Sequence, residues 1–300
     1  MDILYFFEGI RNSFLDFIML GFTKFGEELL FILIAIIMLW CVDKKKGYYL
    51  LMVGFLGIQI NQLLKITFKI PRPWVKDPNF TIVEAARKEA TGFSFPSGHT
   101  QVAVGTYGTI FATFKNKWVK VLMAVLCIAV PVSRMYLGVH TPLDVGVSFL
   151  VAAALVILVG IIMKKVADSK KGMRILFSVL TVISIICTIC VSVMLKGATD
   201  EQLVDGLENF YKMLGGVLGM FVAYELDVRY INFKTKAVWW AQIIKVISGL
   251  VLIIAVKLLG YKVFGAFMPA AVAKGLTYFI LVLFAAAVWP ITFKKFSKQQ

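Results

Sequence analysis

Long apolar runs recur along this chain at 29–40, 121–132, 145–163, 175–195, 247–259 and 276–290, and Lys257 is the single charge within them. A helix that crosses a bilayer needs about 20 mostly apolar residues. Runs of this length predict an all-α integral membrane protein of about nine spans. The spans are drawn at roughly 27–42, 47–65, 98–114, 118–137, 143–163, 174–196, 209–227, 238–258 and 270–292. Residues 2–21 follow a different pattern. Ile3, Phe7, Ile10, Phe14, Phe17 and Ile18 share one helical face, with Asp2, Glu8, Asn12 and Asp16 mostly on another. That spacing predicts an amphipathic helix lying in the interface, with a short tilted span as the alternative. The expected organisation is an interfacial helix over 1–26, a transmembrane core over 27–165 and a transmembrane helical extension over 166–300.

Charge gives the topology. Sixty percent of the residues are hydrophobic and the formal net charge is +15; the mean hydropathy is +0.84. A basic soluble protein would suggest a nucleic-acid partner. Here the cations collect in alternate loops: Lys44, Lys45 and Lys46; Lys115 and Lys117; Lys164, Lys165, Lys170, Lys171 and Arg174; Arg229, Lys234 and Lys236; Lys294, Lys295 and Lys298. The positive-inside rule places these loops and the C-terminal end in the cytoplasm of a plasma-membrane protein, so the lipid bilayer explains the charge and no nucleic-acid partner is expected. Asp2, Glu8, Arg11 and Asp16 interrupt any signal-type apolar stretch. Cys187 and Cys190 sit inside an apolar segment and read as packing residues.

The loops 66–97, 138–142, 197–208 and 259–269 then face the other side. Lys65, Lys69, Arg72, Lys76, Arg87 and Lys88 lie there against the rule, which suggests a local anionic ligand. Three blocks on this side carry chemistry. Lys65 and Arg72 share a face if the second span extends past Lys65, and Pro71 and Pro73 bias the chain around Arg72 to extended forms. In the second block, Ser97 reads as a helix cap after Pro96, Gly98 lets the backbone approach a ligand, and His99 stands on the first turn. In the third, Ser133-Arg134 ends a span, and Thr141, Pro142 and Asp144 make a helix start just after His140. Asp144 is either a capping acid or the group that fixes the tautomer of His140, leaving its other nitrogen free to attack. Both histidines of the chain lie in these blocks.

Around them, Thr81 and Glu84 predict a capping box for a short helix through Ala90. Arg87 and Lys88 on it would meet a further anionic group of the ligand or lipid headgroups. Trp74 suits the interface. Glu27 and Glu28 suit a helix N-terminus, with substrate choice as a second reading. Gly215 and Gly219 predict close helix packing or a dimer face.

Taken together, the three blocks closely resemble the type 2 phosphatidic acid phosphatase (PAP2) superfamily over about residues 27–165. The pattern is complete: Lys65, Arg72 and Pro73; Pro96, Ser97, Gly98 and His99; Ser133, Arg134, His140 and Asp144. The resemblance implies a PAP2-type helical core and a metal-independent phosphatase needing no cofactor. His140 would be the nucleophile that forms a phosphohistidine, Asp144 its orienting group and His99 the general acid. Lys65, Arg72, Ser97, the Gly98 backbone and Arg134 would hold phosphate oxygens. The expected substrate is a membrane lipid, first a polyprenyl (undecaprenyl-type) diphosphate, then phosphatidylglycerol phosphate, phosphatidate or a sphingoid phosphate, cleaved at the outer face. A lipid phosphotransferase and a non-catalytic lipid-binding or scrambling protein are the alternatives.

Overall fold

The computed structural model describes residues 1–296; Lys298, part of the predicted cytoplasmic cluster, lies outside the described residues. Those residues form helices and connecting loops, with no strand among them. In chain order the helices are α1 (Asp2–Gly9), α2 (Ser13–Lys24), α3 (Glu28–Ile37), α4 (Lys44–Phe68), α5 (Pro73–Lys76), α6 (Gly98–Thr113), α7 (Lys117–Tyr136), α8 (Pro142–Val166), α9 (Lys170–Met194), α10 (Glu201–Leu226), α11 (Trp239–Gly265) and α12 (Ala270–Leu283). Six helical stretches among the described residues are long and apolar enough to cross a membrane: Lys44–Lys76, Lys117–Tyr136, Pro142–Val166, Lys170–Met194, Trp239–Gly265 and Ala270–Lys295. Ser13–Lys24 with Glu28–Val42, bent by 48°, makes a seventh if counted as one span. The predicted nine is therefore not confirmed by this measure. The 16-residue α6 is short for a span, and α10 carries Asp205, Glu208 and Lys212 in its first half.

The chain divides into two compact units. The first comprises Met1–Leu33 and Tyr49–Ile161. Within it the predicted single amphipathic helix is two. Asn12 adopts an extended backbone, and its side chain caps α2 by accepting from the Leu15 N–H at 3.0 Å. The break turns Arg11 inward, where Nε donates to the Tyr136 carbonyl at 3.0 Å and Nη1 to that of Thr81 at 2.8 Å. The Tyr136 hydroxyl in turn donates to Asp16 at 2.8 Å. The loop after α5 completes this side. Ala86 and Ala90, on and just after a 3₁₀ turn over Glu84–Glu89, pack with Tyr136, Leu137 and Val139, and Phe7, Leu15, Met19 and Trp74 close around them. This shell seats the end of α7 and the turn that follows it. The predicted capping box is absent, because the Thr81 hydroxyl and N–H both turn to Glu8.

The second unit comprises Ile34–Tyr48 and the chain from Ile162. On α9, Met173, Phe177, Leu180, Ser184, Thr188 and Val191 are buried, whereas Ile175, Val179, Val182, Ile186, Ile189 and Val193 are exposed. An exposed stripe this apolar at helical spacing is the surface a bilayer requires. Gly215 and Gly219 pack α10 against α12. A Cβ on Gly215 would fall 1.9 Å from the Gly275 carbonyl oxygen, and one on Gly219 would fall 2.6 Å from that of Phe279. The glycine face is thus used inside the chain rather than for a dimer.

Candidate active site

The site residues collect where α4 and α7 end and α6 and α8 begin. α7 stops at Tyr136, and Gly138, at φ +80°, turns the chain back toward α8. That conformation is cheap only for glycine. His140 follows, 2% exposed. Pro142 opens α8, and Thr141 and Asp144 cap it reciprocally: the Thr141 N–H donates to Asp144 Oδ2 at 2.7 Å, and the Asp144 N–H to Thr141 Oγ1 at 3.2 Å. The same Oδ2 accepts from the Ser94 hydroxyl at 2.6 Å and lies 3.5 Å from His140 Nδ1. Asp144 therefore caps the helix and also places a carboxylate oxygen beside the ring. A carboxylate on the Nδ1 side assigns the proton to Nδ1 and leaves the lone pair on Nε2. Nε2 faces Arg72 Nη1 at 3.0 Å. Burial first, and then the positive charges of Arg72, Arg134 and Lys65, hold the His140 imidazole well below its ordinary pKa. A ring shifted in this direction is neutral at pH 7.

Arg72 reaches this position although the helix does not carry it. α4 passes Lys65 but ends at Phe68, and Lys69, at φ 48°, starts the turn. Arg72 caps α5 in an extended conformation with Pro73 as the first helical residue. Its Nε donates to Gly92 O at 3.0 Å, its Nη2 to Thr91 O at 2.6 Å and its Nη1 to Val139 O at 3.0 Å. Lys65 Nζ donates to the next carbonyl, that of Phe93. Backbone at 91–93 thus orients both cations, a role no side chain there signals in sequence.

Ser97 caps α6 as its position predicts, accepting from the Thr100 N–H at 3.4 Å. Its own N–H donates to the Asp144 carbonyl at 3.1 Å, which ties the start of α6 to the start of α8. A Cβ on Gly98 would meet only Asn61 Oδ1, at 3.9 Å, so protein packing does not demand glycine there. His99 Nε2 lies 3.7 Å from Glu89 Oε2, an ion-pair contact longer than a hydrogen bond. Glu89 also receives Lys24, which lies 2.8 Å from Glu27. The contacts with His99 and Lys24 hold the Glu89 carboxyl down to about 2. Behind His99 stands Gly26, where a Cβ would come within 2.9 Å of the His99 Cβ and carbonyl oxygen.

Arg134 is fully buried. Its Nη1 donates to Thr23 Oγ1 at 2.6 Å, but Nε and Nη2 are buried without a hydrogen-bond partner among the described residues. His99 Nε2 is in the same condition. Leaving donors of a buried guanidinium unpaired is costly, and an anion bound beside them removes the cost. A planar fork of this kind matches phosphate oxygens.

The structure brings Lys65, Arg72, Ser97, Gly98, His99, Arg134, His140 and Asp144 to one end of these helices. Arg87 does not join them. It pairs with Glu84 at 2.7 and 2.8 Å and stands over the Trp74 ring at 5.2 Å. Ser94, Glu89 and Thr23 are site neighbours that sequence reading passed over, for each is a lone polar residue outside any motif. Beside His99 and Lys65 opens a cavity of about 140 Å³, further lined by Gly26, Glu28, Ile58, Asn61, Gln62, Gly98, Gln101 and Val102.

Comparison with known proteins gives the family. Residues 45–168 match the PAP2 superfamily, and residues 211–300 match the PAP2 superfamily phosphatase transmembrane extension. A probable sphingosine-1-phosphate phosphatase of Dictyostelium discoideum is 35% identical over 158 residues, 48% of this chain and 38% of that protein. An undecaprenyl-diphosphatase of Bacillus subtilis is 28% identical over 160 residues, 53% of this chain and 78% of the relative. A phosphatidylglycerophosphatase B of the same organism is 31% identical over 148 residues, 45% of this chain and 69% of the relative. The chain thus spans well under half of the first relative and most of the other two. No solved structure matches it.

Proposed function

Since the chain belongs to the PAP2 superfamily, we propose that it is a multi-pass membrane phosphatase that hydrolyses a lipid phosphate or polyprenyl diphosphate through a phosphohistidine. The observation that carries this reading is the pairing of a neutral, buried His140 with a buried Arg134 whose Nε and Nη2 lack partners. The charge of Arg134 is felt at His140, as it must be if one phosphate is to meet both.

In this reading His140 Nε2 attacks phosphorus, forming an N–P bond while the bond from phosphorus to the lipid oxygen breaks. Arg72 Nη1 passes from His140 to a phosphate oxygen, and Arg134, Lys65, Ser97 and the Gly98 backbone hold the others. Such a transition state spreads charge over the equatorial oxygens, so fixed cations stabilise it more than the ground state. Asp144, held by Ser94 and the Thr141 N–H, keeps the ring orientation and stabilises the charge that develops on it. His99 gives its proton to the leaving oxygen. Water then attacks the phosphohistidine, His99 takes the water proton, and inorganic phosphate leaves. The chemistry is placed at the outer membrane face, in a core over 27–165 flanked by the 1–26 and 166–300 segments.

Phosphate release by the purified protein tests this on a panel of polyprenyl diphosphate, phosphatidylglycerol phosphate, phosphatidate and a sphingoid phosphate. The wild type is expected to cleave at least one. His140→Ala is expected to abolish turnover while lipid binding survives. Cleavage of water-soluble esters alone refutes the lipid reading, and near-wild-type turnover by His140→Ala refutes the nucleophile.

A further inference from the structure

The cavity beside the site holds polar groups that the reaction above does not use. Asn61 on α4 and Gln101 on α6 are 4% and 3% exposed. Their amide nitrogens, Asn61 Nδ2 and Gln101 Nε2, are buried without a hydrogen-bond partner among the described residues, and both residues line the cavity. Two primary amides are costly to bury in this way within an apolar bundle. Gly57 makes the room: a Cβ there would lie 2.5 Å from Gln101 Nε2. Ile58 and Val102 form apolar wall next to the amides.

The position of the cavity says what the amides face. It is lined by His99, the proton donor to the leaving oxygen, and by Lys65 and Gly98, but not by His140. It therefore lies on the leaving-group side of the phosphate, away from the attacking nitrogen. Asn61 stands one turn before Lys65 on α4, and Gln101 one turn after Gly98 on α6. One turn is about 5.4 Å, two to three bonds beyond a bridging oxygen. The shift runs toward the middle of both helices, the direction a lipid chain must take.

We infer that Asn61 and Gln101 form a leaving-group subsite, donating hydrogen bonds to acceptor atoms of the lipid just beyond the scissile bond. The inference rests on the phosphatase reading and deepens it. Two leaving groups supply that chemistry: the inner phosphate of a diphosphate, and the hydroxyl or ester oxygens of a lipid alcohol. An alkyl monophosphate with no polar atom beyond its ester oxygen supplies none.

The experiment compares kcat/KM of the full chain and of the near-isosteric Gln101→Met and Asn61→Leu variants on three substrates. These are a polyprenyl diphosphate, a sphingoid or glycerol-based monophosphate, and an alkyl monophosphate of similar chain length. The quantity read is the ratio of each polar lipid to the alkyl ester within one protein, from which any loss of folded enzyme cancels. Loss of one such hydrogen bond should lower that ratio about tenfold, and the lipid whose ratio falls identifies the acceptor. Ratios that stay within about twofold of wild type in both variants overturn the subsite and leave the amides as packing groups. A wild type that releases phosphate from none of the three fails the phosphatase reading itself, which separates the two outcomes.

Discussion

At the residue scale, the depressed basicity of His140 has a kinetic signature. A nucleophile with a lowered pKa is lost only when pH falls through that lowered value, so the acid limb of kcat/KM lies below the ordinary imidazole value of about 6.5. The cations that add to the effect of burial, Arg72, Arg134 and Lys65, are the groups proposed above to bind phosphate. A bound phosphate dianion offsets their field, so His140 is more basic in the complex than in the free enzyme. The acid limb of kcat is therefore expected at higher pH than that of kcat/KM, and both profiles are expected to be bell-shaped because His99 must carry its proton. Coincident acid limbs, or a rate rising monotonically across the range, contradict the assignment. Which residues a sequence reveals follows from the same chemistry. Histidine, arginine and lysine at a membrane edge are expensive, so their presence is informative. Ser94, in a loop, and Glu89, at the end of a 3₁₀ turn, are ordinary polar residues, and only folding shows that one holds Asp144 and the other faces His99.

At the element scale, the site depends on helix ends rather than on helix interiors. Caps are local and legible: Ser97 before α6, and Thr141 with Pro142 and Asp144 at α8, stand where their residue types predict. Breaks decided by tertiary contacts are not legible. The division of the first helix follows from Arg11 reaching Tyr136 and Thr81, and the lost capping box follows from Glu8 claiming Thr81. The turn between α2 and α3 belongs to this class and has a functional consequence. Gly26 sits in it against His99, with room for hydrogen but not for a methyl group. Gly26→Ala should push the first turn of α6 away, and a misplacement near 1 Å costs about a hundredfold in rate. The expected result is a fall in kcat of about tenfold or more, with thermal stability in detergent changed little because α2 and α3 keep their other contacts. A variant with unchanged kcat would show that His99 tolerates the shift and that its placement is not tightly held.

At the scale of the molecule, the hydrophobic pattern places most helices, and six or seven stretches among the described residues meet the length and hydropathy of a crossing helix. Alternating apolar runs mark helices well, yet α6 and α10 mix small and polar residues that packing buries, and only structure separates such helices from clear spans. The charge pattern carries the remaining claim, that the site lies outside. Lys115, Lys117 and Lys120 gather where α6 ends and α7 begins, whereas His99, Arg134 and His140 lie at the opposite ends of those two helices. Cations between spans stay in the cytoplasm, so the catalytic end should be the translocated one. Lys65, Arg72 and Arg134 do not weigh against this orientation, because Arg72 and Arg134 are buried and Lys65 is partly buried, and the proposed function gives all three an anion to hold instead of the aqueous surface. Thiol labelling of intact cells decides the question. With Cys41, Cys127, Cys187 and Cys190 replaced, a cysteine at exposed Asn79, in the loop before α6, should react with a membrane-impermeant maleimide. One at exposed Lys115 should react only after permeabilisation. The reverse pattern would put the histidines on the cytoplasmic side and restrict the substrate to lipids whose phosphate is presented there.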